Sequence, residues 1–232
     1  MCIGWFITKP RSCSIITYLI LYSIPHKHHP NKDITFFQLN HILLLHQVLD
    51  IGIGTASALS TEENVAIMRK KCLKFVGVDY NDVYIAKAKN VVLDAGIGDR
   101  VSLHCLSVYE DTLVEEIGCG FDSVYFSGSF SLMPDPGSAL KKVAKLLKPG
   151  KGGLIYITQT YQRKSFPLLG VLKPLTKYLT TIDFGSLVME HEIVSTVESA
   201  GMKILENSVI PGSVDNAMQV ARILVIDPYP CN

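Results

Sequence analysis

The 232-residue chain has almost no excess of charge of either sign: 22 basic side chains stand against 21 acidic ones, a formal net charge of +1. Binding to a phosphate backbone needs a clustered positive surface, and the basic residues here are scattered, so nucleic acid is excluded as the main partner. None of the six cysteines, Cys2, Cys13, Cys72, Cys105, Cys119 and Cys231, belongs to a CxxC pair. Such spacing supports neither a zinc ribbon nor a disulfide frame and reads as reduced thiols of a cytoplasmic protein, with no metal expected. Long polar tracts are also missing, and the length fits one globular domain with an added segment.

That segment is residues 1 to 47. Its apolar run "SCSIITYLILYSI", Ser12 to Ile24, follows Lys9 and Arg11 as in a signal sequence. A membrane span needs about 20 apolar residues, and no small-x-small cleavage pattern comes after the run. An N-terminal extension is the plainer reading, with membrane association through this run as the alternative. "HKHHP", His26 to Pro30, brings three histidines together without a Cys or carboxylate at ligand spacing, which suits a solvated loop. From Asp33 to Gln47 the apolar series Phe36, Phe37, Leu39, Ile42 and Leu43 predicts a helix with Asp33 as its N-cap.

Beyond Gln47 strands and helices alternate. Apolar runs predict strands at "QVLDIGIG", "KFVGVDY", "VSLHCLSV" (Val101 to Val108), "FDSVYFSGSF" (Phe121 to Phe130) and "GLIYITQTY". "TEENVAIMRKKC" carries acids in its first turn and bases in its last, which suits a helix dipole at both ends. "NDVYIAKAKNVVLDAGIGDR" and "PGSALKKVAKLLKPG" are the next helices, each closed by glycine. Crossover connections of this kind give a parallel sheet with helices on both faces, an α/β fold of the doubly wound, Rossmann-like kind.

In such a sheet the ligand lies beyond the carboxyl ends of the strands, and the loop after the first strand touches it. Here that loop is "VLDIGIGTAS", in which Gly52 and Gly54 permit a tight turn and leave no side chain between backbone and ligand. Asp79, ending the next strand, is placed to accept hydrogen bonds from both hydroxyls of a ribose. Each acid also has a plainer reading, Asp50 as a turn residue and Asp79 as the N-cap of the helix that follows. A dinucleotide site wants a third glycine where this chain has Ser57, and Asp50 would repel a pyrophosphate. A cationic ligand reverses that repulsion. The sulfonium and amino group of S-adenosylmethionine supply the cation, which leaves an NAD-dependent oxidoreductase as the weaker alternative.

Residues Val48 to about Pro228 resemble the class I S-adenosylmethionine-dependent methyltransferases, particularly the group acting on quinones and other small molecules. "VLDIGIGTA" and "VGVDY" are similar to the family's first two motifs, "LHCLSVYED" to the adenine-capping stretch, and "FDSVYFSGSFSLMPDP" with "LLKPGKGGLIYITQ" to its fourth strand, helix and fifth strand. The resemblance implies a seven-stranded, mostly parallel sheet whose last two strands, near "MKILENSVI" and "MQVARILVID", form an antiparallel hairpin. It implies cofactor contacts from Asp50, Gly52, Gly54, Thr55, Ala56, Asp79, Tyr80, Ser107, Val108 and Ser127. Three features depart from the pattern: Ala56 replaces the third glycine, at the expense of a methyl group's clearance, Ser107 replaces the adenine-facing acid, and Asp50 and Asp79 lie farther apart in sequence than is common, which implies a longer helix and loop around "STEENVAIMRKK".

A sulfonium methyl is already activated, so holding nucleophile, carbon and sulfur in line suffices and no triad is required. His104, His191 and Tyr161 are the titratable residues near strand ends, and none is assigned as a base. An insertion at about residues 160 to 185 carries Leu168, Leu172, Leu175 and Leu179 at helical spacing, and the resemblance makes it a cap over a small, apolar acceptor such as a lipid or quinone. Ser129, Gln159 and Tyr161 are the expected polar edges of that acceptor pocket. A relative that binds the cofactor without turnover would have the same sequence features.

Overall fold

The sheet is built from β1 (Gln47–Ile51), β2 (Lys74–Asp79), β3 (Val101–Cys105), β4 (Ser123–Ser127), β5 (Leu154–Gln162), β6 (Lys203–Val209) and β7 (Gln219–Asp227). In space these run in the order β3-β2-β1-β4-β5-β7-β6, parallel except for β7, which is antiparallel to both its neighbours. The structure is a computed structural model that describes residues 47–148, 152–163 and 189–229. The helix predicted at 33–47 lies outside the described residues except for Gln47, as do the histidine loop and most of the insertion. Among the described residues no helix is long and apolar enough to cross a membrane.

Alternation along each strand sends side chains to opposite faces of the sheet, and each face is packed by its own helices. Leu49, Ile51, Val124, Phe126, Ile155 and Ile157 pack with Leu140 and Val143 of α4 (Pro136–Ala144) and with Ile193 and Val197 of α5 (Glu190–Ser199). On the other face Val48, Phe75, Tyr125 and Tyr156 meet Met68 of α1 (Glu62–Lys70) and Ile85 and Ala88 of α2 (Asp82–Asp94). A short helix, α3 (Leu113–Ile117), adds Leu113 to the first face. Each such side chain taken fully from water contributes roughly 1.5–3 kcal/mol before the entropy of ordering is subtracted.

Helix starts follow the capping residues. Thr61 accepts from the Asn64 N–H at 3.3 Å, Asn81 from Val83 at 3.0 Å, and Asp135 from Ser138 at 3.0 Å, with Pro136 in the first turn where its missing N–H is harmless. The cap of α2 is therefore Asn81, not Asp79. β3 ends three residues sooner than its apolar run, because the backbone turns at Ser107 to Glu110. β4 is likewise shorter, since Gly128 at φ +69° breaks the strand ahead of a single 3-10 turn at Phe130–Leu132.

The chain passes from β1 to β2 and β3 on one side, then returns to β4 on the other. The switch point thus falls between the carboxyl ends of β1 and β4, where an open α/β sheet leaves a crevice for a ligand.

Candidate functional site

The crevice begins where β1 ends. Gly52 (φ +73°) turns the chain back so that its N–H donates to the Val78 carbonyl at 2.7 Å, fastening the loop to β2. A side chain at this position would collide with Ser129, whose Oγ would lie 2.9 Å from the new Cβ. The Ser129 hydroxyl in turn donates to the Ile51 carbonyl, bonding the segment after β4 to the end of β1. Ser129, expected at the acceptor, therefore stands under the glycine loop with its hydroxyl engaged there. Gly54 (φ +59°) faces open space, with nothing within 4 Å of where its Cβ would be. Ala56 adopts φ +56° although it is not glycine, so its cost is backbone strain of about 1 kcal/mol more than lost clearance. Thr55 and Ser57 bond each other through their hydroxyls at 2.7 Å.

Two buried carboxylates flank this loop. Asp79 at the end of β2 accepts from the Gly54 N–H at 2.9 Å through Oδ2 and from the Asn81 N–H at 2.9 Å through Oδ1. Asp50 on β1 stands opposite Gly77 on one side and Tyr125 on the other, 4% exposed, and its Oδ1 has no hydrogen-bond partner among the described residues. Burial, and then the neighbouring charge of Asp79, push its carboxyl up to about 7. Tyr125 shares a 2.8 Å hydrogen bond with Thr158, and burial holds its phenol well above the ordinary value, so it stays neutral beside Asp50.

The far end of the crevice is the loop after β3. Val108 is buried, while Tyr80 is almost fully exposed at the end of β2. Ser107 accepts from the Tyr109 N–H at 3.2 Å, and its own N–H donates to Glu110 Oε1 at 2.7 Å. A carboxylate arriving three residues later is thus held against the backbone of Ser107. Sequence reasoning passed over Glu110 because the fold-back turn has no spacing signature of its own.

Ser127 ends β4, half-buried, and the adjacent Gly128 N–H donates to the Thr158 carbonyl of β5 at 2.8 Å. Gln159 and Tyr161 leave β5 on the α5 side of the sheet. Both Gln159 Oε1 and the Tyr161 hydroxyl are buried without a hydrogen-bond partner among the described residues. His191 is exposed at the start of α5, on the rim of a cavity that Tyr161 lines. His104 sits on β3, the edge strand farthest from β5, and is not brought to this region. The structure therefore groups Asp50, Gly52, Gly54, Asp79 and Ser107 around one crevice and puts Gln159 and Tyr161 beside it. Among the described residues no cluster of three His, Cys, Asp or Glu has metal-binding geometry.

Comparison with known proteins gives these features a family. Residues 49–154 match the methyltransferase domain family. Phosphatidylethanolamine N-methyltransferase of Cereibacter sphaeroides is 26% identical over 141 residues, covering 60% of this chain and 63% of that protein. Ubiquinone biosynthesis O-methyltransferase of Paracidovorax citrulli is 26% identical over 168 residues, covering 69% of this chain and 64% of that one. The chain thus spans a little under two thirds of the length of either relative. Among solved structures the cyclase SpnF superposes with a TM-score of 0.57 at 16% identity, over 79% of this chain and 75% of its own, which is a likeness of fold. Residues 49–154 thus match a methyltransferase domain, and the fold and the loop motif are similar to those of the class I S-adenosylmethionine-dependent methyltransferases.

The cofactor of that family fits the residues present. The unpartnered Asp50 Oδ1 calls for a donor or a cation, and the space over Gly54 admits a ligand against bare backbone. Asp79 has lone pairs left for a ribose after its two backbone bonds. Bound there, S-adenosylmethionine supplies an activated methyl group. Asp50 would hold its amino end, Gly52 and Gly54 its middle, and Asp79 with the Ser107–Glu110 turn its nucleoside end.

Proposed function

We propose that the chain catalyses methyl transfer from S-adenosylmethionine to a small, largely apolar acceptor, with residues 48–228 as the catalytic domain. The observation that carries the reading is the juxtaposition of a buried, unpartnered Asp50 carboxylate with a glycine loop tied to Asp79. A dinucleotide would set its pyrophosphate against that carboxylate, whereas a cationic ligand compensates the charge. The protein's own part is positional. Asp50 and Asp79 fix the two ends of the donor, and the walls at β4 and β5 hold the acceptor in line, so no side chain need be altered in the reaction. The acceptor's proton is left to water, and no side chain is assigned as a base.

The identities of the two relatives support an acceptor with an apolar body, one a phospholipid and the other a ubiquinone precursor. Membrane association through the N-terminal run would suit such acceptors. A second reading is cofactor binding without methyl transfer, which the same site geometry would serve. Calorimetric titration with S-adenosylhomocysteine and with NAD tests the site: saturable binding of the first and none of the second is expected. Transfer of labelled methyl from S-adenosylmethionine to lipid and quinol acceptors then separates the enzyme from the binder. NAD binding alone would overturn both readings.

A further inference from the structure

Two sets of segments line the crevice, one from each side of the switch point. On the β2 side Asp79 holds the glycine loop through Gly54, and its carbonyl accepts the Leu106 N–H at 3.0 Å, so the loop after β3 leaves from the same residue. On the β4 side Ser129 is bonded to the Ile51 carbonyl under Gly52, and the chain then runs through Met133 to Asp135, the cap of α4.

Tyr109 joins the two sides. Its hydroxyl donates to the Asp135 carbonyl at 2.8 Å and accepts the Asp135 N–H at 3.1 Å, so both capacities of the phenol are spent on one residue 26 positions away. The rest of the side chain packs, partly buried, against the core between the sheet and α4, and the Tyr109 N–H donates to Ser107 Oγ at 3.2 Å. Lys142 of α4 donates to the Tyr109 carbonyl and lies 3.4 Å from Asp111. A ring of bonds thus runs from Ile51 through Ser129, Asp135, Tyr109 and Asp79 to Gly54.

The bonds in this ring differ in what they do for the fold. Asp111 is fully exposed, so its pairing with Lys142 is screened by water and contributes little. Asp135 is exposed too, so water can take over both of its backbone groups when the phenol is gone. What disappears with the phenol is a fixed direction for the turn that carries Ser107 and Val108. A ligand bound against a loosened turn has to order it, and its affinity falls by that cost. The turn presents acceptors, the Ser107 hydroxyl and the Glu110 carboxylate, which match an amine and not a carbonyl.

We propose that Tyr109 is a positioning residue for the purine of the bound nucleoside, acting through the Ser107–Glu110 turn that it ties to Asp135 across the switch point. The inference rests on the S-adenosylmethionine reading and adds to it a residue that works through its neighbours.

The test uses the full chain, titrated calorimetrically with S-adenosylhomocysteine and with S-inosylhomocysteine, in which a carbonyl stands where the purine carries its amine. The wild type should prefer the first. Tyr109→Phe keeps the ring in the core and removes both bonds to Asp135. It should weaken S-adenosylhomocysteine binding about fivefold, the value of one hydrogen bond, leave S-inosylhomocysteine nearly unchanged, and barely move the melting temperature. Lys142→Met frees the same turn from its other side and should narrow the preference in the same direction. Tyr229→Phe removes a phenol bonded to the Ala144 carbonyl, at the opposite end of α4, and should change neither affinity. With no ligand present, Tyr109→Phe should speed amide exchange at Asp135 and Tyr109. Equal losses for the two nucleosides would mark a general loosening of the fold. That outcome, a wild type indifferent to the amine, a preference untouched by Tyr109→Phe, or unchanged exchange at Asp135 would each overturn the inference. A wild type that binds neither nucleoside would instead overturn the cofactor reading on which the inference rests.

Discussion

Asp79 Oδ2 accepts the Gly54 N–H at 2.9 Å, so the end of β2 holds the middle of the glycine loop by a bond that bridges 25 residues of chain. The same carboxylate holds Asn81, the cap of α2. One side chain therefore sets both the loop and the helix start between which a nucleoside would lie. Asp79→Ala is expected to lower affinity for S-adenosylhomocysteine by more than tenfold and to speed amide exchange at Gly54 and Asn81. Hydrogen bonds to a charged group are worth about 1.5–3 kcal/mol each. Unchanged exchange at both amides would refute the coupling.

Gly52 and Gly54 differ in what an added methyl group meets. At Gly52 it strikes Ser129 as well as requiring a left-handed backbone, so Gly52→Ala should destabilise the fold by roughly 2–4 kcal/mol. At Gly54 it meets open space, and Gly54→Ala should cost about 1 kcal/mol of stability while sharply weakening cofactor binding. Denaturant titration beside calorimetry distinguishes them: equal stability losses would contradict the packing around Ser129.

Asp50 makes a prediction whose sign is set by its raised carboxyl. Between the unfolded value of 3.8 and the folded value of about 7, the native protein keeps a proton that the unfolded chain has released. Stability contributed by this group is therefore present at low pH and declines as pH rises through that window, by up to about 4 kcal/mol. Asp50→Asn should be more stable than the wild type at pH 8 and similar at pH 4. A cation beside Oδ1 favours the ionised form, so wild-type cofactor affinity should climb with pH toward 8, with proton release on binding, and both effects should vanish in Asp50→Asn. A wild type stabilised relative to the variant by raising the pH would contradict the burial of this acid.

Glu110 is expected to act where the family's adenine-facing acid is missing. Its carboxylate holds the Ser107 N–H at 2.7 Å on an exposed turn. Glu110→Ala should weaken S-adenosylhomocysteine binding by a few fold with little change in melting temperature, and Glu110→Gln should recover most of the loss. An affinity identical to wild type would remove Glu110 from the site.

Sequence periodicity carried the sheet well, because buried parallel strands read as apolar runs and their helices as amphipathic segments closed by glycine. All seven strands fall where those runs lie, including the final hairpin that the family resemblance supplied. Asp50, Gly52, Gly54 and Asp79 were legible because their roles follow from position at strand ends. The rest depends on contacts between distant segments. The Ser129 bond to Ile51 spans 78 residues, and nothing in "SGSFSL" announces it. Ala56 looked like a question of clearance, and only its positive φ revealed one of conformation. The pairing that neutralises Arg222 joins α5, β6 and β7, three segments with no common motif.

The place of β7 between β5 and β6 has a consequence in time. Residues 203–209 have no neighbour in the sheet until residues 219–227 slide in between them and β5. During synthesis the block from β1 to β5 can assemble from near-neighbour crossovers as it emerges, whereas β6 must wait for a strand made later than itself. The nucleoside end of the site is ready early, and the wall bearing Val220 and Arg222 is the last to be set.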